Sequence, residues 1–221
     1  MPIRKQPLAT DQYVHVMNRG VAKMPTFLGA GDYSRAIETL KYYRFVEPPI
    51  KYSDLQKLTP LPRAQILRNL EGEDQLVEII AFTTMPNHFH LLLRQLVDDG
   101  VSTFLRRWTN SYTRYFNTRH ERIGPLFQGV FKSVAIHSDD QLLHVSRYIH
   151  INLVVAELVE LQELASSPRT SYGAYVGRPQ NWLNPELILG IAGGEERYRK
   201  FVADHVDYAQ ALESIKHLTL E

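Results

Sequence analysis

The chain has 221 residues, with 25 Lys and Arg against 24 Asp and Glu, a formal net charge of +1 and no cysteine. That length suits one domain with additions, a hydrophobic fraction of 44% suits a globular protein, and the missing cysteines exclude disulfides and thiolate metal sites. No apolar run approaches the roughly 18 to 20 residues that span a bilayer, and Met1-Pro2-Ile3-Arg4-Lys5-Gln6-Pro7 lacks the apolar stretch of a secretory signal, so a cytoplasmic protein with no membrane partner is expected.

Residues 12–18, Gln-Tyr-Val-His-Val-Met-Asn, alternate as a strand does, and Asn18-Arg19-Gly20 signals a turn. Tyr33 to about Phe45 reads as an amphipathic helix that Glu47-Pro48-Pro49 ends. Residues 50–76 are polar, with a short helix near Arg63–Leu70, and read as an insertion (about 46–76) between core elements. Leu76–Thr83 is a β-rich run, Met85-Pro86-Asn87 a turn and His88–Gln95 a second apolar run, which together predict neighbouring antiparallel strands.

From Val101 to about Arg119 the pattern is helical. Residues 101–135 carry Arg106, Arg107, Arg114, Arg119, Arg122 and Lys132 against Glu121 alone, interleaved with Trp108, Tyr112, Tyr115, Phe116, Phe127 and Phe131. Cations for phosphates and flat rings for bases are what single-stranded nucleic acid asks of a surface. A solvated helix face with a core-facing aromatic stripe explains the same residues.

Val130–Ile136 reads as a further strand. Ser138-Asp139-Asp140-Gln141 matches a capping box that opens a helix to about Val154. Glu157 to Pro168 reads as a short helix or loop, Ser171–Tyr175 and Trp182–Leu189 as an appended segment, and Glu195 to Ile215 as a polar helix. The order of elements is α+β with a mainly antiparallel sheet. Residues 1–160 are read as the catalytic domain and 161–221 as an extension packed on it.

Two constellations carry chemistry. On a strand, His88 and His90 share a face, which lets two imidazoles converge on one metal ion while Phe89 turns to the opposite, buried side. A His-x-His pair by itself is more often only the polar side of an amphipathic strand. On the helix opened by Ser138, Gln141, His144, Tyr148 and Asn152 fall along one stripe, separate from the apolar stripe of Leu142, Val145, Ile149 and Leu153. Tyr148 and Asn152 are therefore stacked one turn apart.

Met85-Pro86-Asn87-His88-Phe89-His90-Leu91-Leu92-Leu93 resembles the signature of the REP-associated tyrosine transposases, relatives of the single-tyrosine HUH transposases. The likeness extends to Tyr13–Gly20, Tyr112–Asn117, Gly124–Lys132, Arg147–Asn152 and Ser171–Tyr175, in the family's order, and covers about residues 12 to 205. It implies a ferredoxin-like antiparallel sheet with packed helices, Tyr148 as nucleophile, and His88, His90 and Asn152 as ligands of Mg²⁺ or Mn²⁺. It also implies hairpin-containing single-stranded DNA as partner, a homodimer, and work at the nucleoid.

Arg106, Arg107, Arg114, Arg119, Arg122 and Lys132 are the candidate phosphate contacts, Tyr112 and Tyr115 the candidate base-stacking rings, and His144 a candidate helper to Tyr148. Packing is the alternative for at least one of the two rings. The sequence departs from the family at Leu153, where relatives carry Pro, and at Val130, where they carry Arg. Two other functions fit part of the pattern. One is a catalytically silent DNA-binding protein on the same fold; the other is a metal-dependent hydrolase using water, with His15 or Asp139 as third ligand.

Overall fold

The computed structural model describes residues 8–206 and 209–210. Alternation builds the sheet: β1 (Tyr13–Arg19) buries Val14, Val16 and Asn18 and keeps Tyr13, His15, Met17 and Arg19 half-buried on the other side. The connection to the next strand holds α1 (Ala30–Tyr43), α2 (Tyr52–Leu55) and α3 (Pro60–Leu70). The last two lie within residues 46–76, the stretch read as an insertion, whose ends meet where Phe45 bridges Gln75.

β2 (Val77–Met85) and β3 (His88–Gln95) make a hairpin over Pro86-Asn87. α4 (Gly100–Arg119), β4 (Lys132–Ile136) and α5 (Asp139–Val155) follow. The sheet order is β2-β3-β1-β4, antiparallel throughout. With α1 after β1 and α4 after β3, this is the ferredoxin-like arrangement, to which α5 is added.

The two faces of the sheet have different covers because neighbouring side chains on a strand point opposite ways. Phe89 points to α4, where its ring meets Trp108 at 4.6 Å between centroids. Trp108 in turn donates from Nε1 to Ala36 O of α1 at 2.9 Å. Both rings are buried, and truncating either to Ala should cost about 3–5 kcal/mol. α5 lies on the opposite face, against β2 and β3.

The loop after β1 is laced to the hairpin turn. Gly20 N donates to Asn87 O at 2.8 Å, and Thr26 N and Phe27 N both donate to Pro86 O. A Cβ on Gly20 would lie 2.3 Å from Met24 O, so only glycine lets the chain pass there.

Past α5 the chain folds back as two short 3₁₀ turns, Leu161–Ser166 and Tyr172–Tyr175, then α6 (Glu186–Ala192) and α7 (Glu195–Ala203). The expected C-terminal helix starts at Glu195 as read but closes at Ala203, with a turn at Asp204 and His205, so it is not the continuous helix expected; residues near Ile215 lie outside the described ones. The segment before the second turn pairs with β2: Ser171 N donates to Phe82 O and Thr84 N to Arg169 O. That covers one edge of the sheet, which would otherwise expose unpaired backbone groups.

A buried polar chain ties this extension to α5. His150 Nδ1 lies 2.7 Å from Tyr198 Oη and Nε2 lies 2.8 Å from Ser171 Oγ, while Tyr198 Oη meets Ser146 Oγ at 2.9 Å. Each buried polar atom there has a partner, as a dry interior requires. The start of α5 corrects the capping-box reading in one respect. Ser138 Oγ accepts from Gln141 N at 3.2 Å, but Gln141 Oε1 reaches past Ser138 to accept from His137 N at 2.9 Å. No helix among the described residues is long and apolar enough to cross a membrane.

Candidate active site

His88 and His90 lie on the β3 face opposite Phe89, with ring centroids 5.1 Å apart and planes at 83°. β1 brings a third imidazole to them. His15 sits diagonally across from His90, whose direct partner is Met17, and the two rings stack at 5.1 Å with His15 Nε2 2.9 Å from His90 Nδ1. α5 then lays Tyr148 over the group: its ring is edge-on to His90 at 5.4 Å and to His15 at 5.9 Å.

Burial keeps these histidines neutral. Desolvation pushes His15 down to about 4, and with the Arg19 charge it pushes His88 down to about 4. His90 falls to about 3 through burial first, then through His15, His88 and Arg19. A neutral imidazole is the form that binds a cation. Tyr148 is 48% exposed and so within reach of a substrate.

Asn152 lies one turn beyond Tyr148, as the helical spacing predicts, but its side chain folds back so that Nδ2 donates to Tyr148 O at 2.7 Å. Among the described residues no trio of His, Cys, Asp or Glu is arranged to hold a metal ion. His144 turns away from the site: its Nδ1 meets Arg147 at 2.9 Å and its ring lies against Phe201 of α7. Asp139, at the exposed start of α5, makes no contact with His88 or His90 among those described.

The basic segment divides into two groups. Arg106, Arg114, Arg119 and Lys132 are exposed. Arg107 instead donates to Val46 O at 2.6 Å, and Arg122 donates to Pro125 O at 2.7 Å and Asn117 Oδ1 at 3.1 Å, so both clamp loops. Tyr112 corrects the base-stacking expectation. It is fully buried and donates to Thr26 O at 2.7 Å, so its ring cannot reach a base. Tyr115 is half-buried in a surface groove between α4 and residues 47–54, with Arg35 4.7 Å from its ring centre. That groove lies on the α4 side of the sheet, the face opposite Tyr148.

Three neighbours of the site have no role in the tyrosine reading of the sequence: His15 figures only as a candidate third ligand of a hydrolase, Asn87 as a turn residue and Arg19 as part of a turn. Arg19 pairs with His88 across β1 and β3, has no carboxylate partner among the described residues, and its Nε is buried without a hydrogen-bond partner. The signal that joins them is strand register, which becomes visible only once β1 and β3 are known to pair.

Residues 62–152, from α3 to Asn152, match the family described as "Transposase IS200 like". The match is confined to this central segment. It contains both histidines and the tyrosine. Among solved structures, a REP-associated tyrosine transposase bound to a REP hairpin shares the fold of this chain. Its TM-score is 0.52 at 15% identity, over 84% of this chain and 90% of that one. A tRNA(His) guanylyltransferase from Saccharomyces cerevisiae aligns over 94% of this chain and 82% of that one at 12% identity, with a TM-score of 0.35 too low to support any argument. No curated protein matches the sequence.

Proposed function

We propose that the chain cuts and rejoins single-stranded DNA through a covalent bond to Tyr148. The observation that carries this reading is the position of Tyr148, half-exposed and edge-on to His90, although the two come from a helix and a strand far apart in sequence. The Tyr148 oxygen attacks phosphorus and the bond from phosphorus to the 3′ oxygen breaks. The phenol gives up its proton and the departing 3′ oxygen gains one, leaving a 5′-phosphotyrosine and a free 3′-hydroxyl. Because the phosphodiester energy is kept, the hydroxyl of a second strand can reverse the step.

His88, His90 and Asn152 would hold Mg²⁺ or Mn²⁺, whose charge polarises the scissile phosphate. The donor set fits an ion that keeps open positions for phosphate and water. The two imidazoles are neutral and adjacent, and neither Nε2 has a hydrogen-bond partner among the described residues. Asn152 donates to Tyr148 O through Nδ2, which leaves its Oδ1 without a hydrogen-bond partner among the described residues.

Arg106, Arg114, Arg119 and Lys132 are the proposed phosphate contacts. By analogy with the solved relative on its REP hairpin, the substrate is hairpin-containing single-stranded DNA. Since α4 and Tyr148 lie on opposite faces, such a substrate would pass the β4 edge, where β1 is the one strand partner among the described residues. Two copies are proposed to associate, which sedimentation of the full chain would test.

The deciding experiment is a denaturing gel of the chain with labelled hairpin oligonucleotides and Mn²⁺. A protein–DNA adduct that vanishes in Tyr148→Phe is expected. Cleavage without an adduct, persisting in that variant, would instead establish water as nucleophile.

A further inference from the structure

An imidazole binds a cation through its unprotonated nitrogen, so which nitrogen of each site histidine carries the proton decides whether the site can form. His88 Nδ1 lies 2.6 Å from Asn87 Oδ1. The amide end is fixed because Asn87 Nδ2 donates to Lys23 O at 3.2 Å, inside the loop laced to the hairpin turn. An amide oxygen offers no proton, so His88 donates from Nδ1 and its Nε2 is left bare.

His90 Nδ1 lies 2.9 Å from His15 Nε2, a hydrogen bond in which one of the two nitrogens carries the proton and the other accepts it. If His90 donates, its Nε2 is bare as well. If His15 donated, Nε2 of neutral His90 would carry a proton and could not bind a cation.

We infer that His15 and Asn87 are positioning residues, each occupying the Nδ1 of one site histidine so that both Nε2 atoms are left as lone pairs for a cation. His15 spends its own Nε2 lone pair on His90 and is therefore not a ligand. This rests on the metal reading proposed above. It follows the general pattern in which the second nitrogen of a ligating histidine is held by an outer partner.

The experiment uses the full chain and two readouts. Long-range ¹H–¹⁵N spectra of the metal-free protein report the ring tautomers, and calorimetric titration with Mn²⁺ reports affinity. In the wild type, His88 and His90 should both carry the proton on Nδ1. His15→Leu should move His90 toward the Nε2–H form and weaken Mn²⁺ binding by about 10- to 100-fold. His15→Gln, whose carboxamide oxygen can accept from His90, should restore the tautomer and bring affinity back to within about threefold of wild type. Asn87→Leu and Asn87→Asp should form the same contrasting pair at His88.

Unchanged tautomer and unchanged Mn²⁺ affinity in His15→Leu would overturn the inference. So would equal loss of Mn²⁺ in His15→Leu and His15→Gln with the His90 tautomer intact, since that pattern makes His15 a ligand. If the wild type binds no Mn²⁺, the metal reading fails by itself, and the tautomer of His90 in His15→Leu still decides the role of His15.

Discussion

Tyr148 stands edge-on to His90, with ring centroids 5.4 Å apart and planes at 88°. An edge-on ring pair adds about 0.5–1.5 kcal/mol beyond burial, and the contact belongs to the ring, not to the hydroxyl. Tyr148→Phe should therefore keep the packing while removing the nucleophile. We expect an unfolding free energy within about 0.5 kcal/mol of wild type and complete loss of the covalent adduct. A large stability loss in calorimetry would mean that the hydroxyl holds the fold and that the gel result alone cannot be read as chemistry.

Asn152 supplies a neutral oxygen at most, its Nδ2 being bonded to Tyr148 O. Ligand charge governs the affinity of oxygen-rich sites for hard cations. Asn152→Asp should tighten Mn²⁺ binding and Asn152→Ala weaken it, each on the order of tenfold. Equal affinity in all three proteins, measured by the same titration, would remove Asn152 from the ligand set.

Arg19 faces His88 across the strand pair, with no carboxylate to neutralise it among the described residues. A half-buried cation of that kind is costly unless an anion completes it. We expect Arg19→Met to slow cleavage at least tenfold while changing hairpin binding less than threefold, the mark of an interaction made at the reacting phosphate. Equal losses in gel-shift affinity and cleavage rate would make Arg19 an ordinary DNA contact.

Much of this site was legible in the sequence, and the limit falls at a definite place. Period 2 put His88 and His90 on one face, and period 3.6 put Tyr148 and Asn152 one turn apart. Both are local facts. His15 joins the group through the register of β1 on β3, which no local pattern encodes. The same limit explains Tyr112: spacing allowed either role, and only the approach of the Thr26 carbonyl decided for the core. Arg107 and Arg122 were indistinguishable by type from Arg106 and Arg114 until loop carbonyls were found at their guanidinium groups.

His150 makes the fold sensitive to acid. Complete burial pushes its imidazole down to about 3, against about 6.5 in an unfolded chain. The folded state therefore holds it neutral. The stabilisation is fully present above pH 6.5 and is lost as pH falls from there toward 3, because the unfolded chain takes up the proton first. At pH 5 the loss is about 2 kcal/mol for this histidine, and His15, His88 and His90, also pushed down by burial, add to it. Urea unfolding of the metal-free protein at pH 7.5 and pH 5 should show the drop. His150→Gln should be less stable at pH 7.5 and show a smaller further loss at pH 5. An identical pH dependence in that variant would mean that His150 finds a way to be protonated in the folded state.

The basic segment offers the last separation. Arg114 projects from α4 into solvent and Arg119, though largely exposed, lies 3.6 Å from buried Asp32, while Arg107 and Arg122 are bound to loop carbonyls. A phosphate contact releases counterions, so each one lost should flatten the salt dependence of binding by about 0.7 on a log–log plot for single strands. Arg114→Ala with Arg119→Ala should thus flatten that slope by about 1.4, and any loss of stability should come from Arg119, whose Nε lies 3.6 Å from buried Asp32. Arg107→Ala and Arg122→Ala should instead leave the slope alone; Arg107→Ala should cost roughly 1–3 kcal/mol through the part-buried Val46 carbonyl, and Arg122→Ala less, because water can reach Pro125 O. Fluorescence anisotropy at several salt concentrations distinguishes the two patterns. A slope unchanged by the Arg114 and Arg119 pair would detach the α4 face from DNA and leave the phosphate path to be sought beside Tyr148.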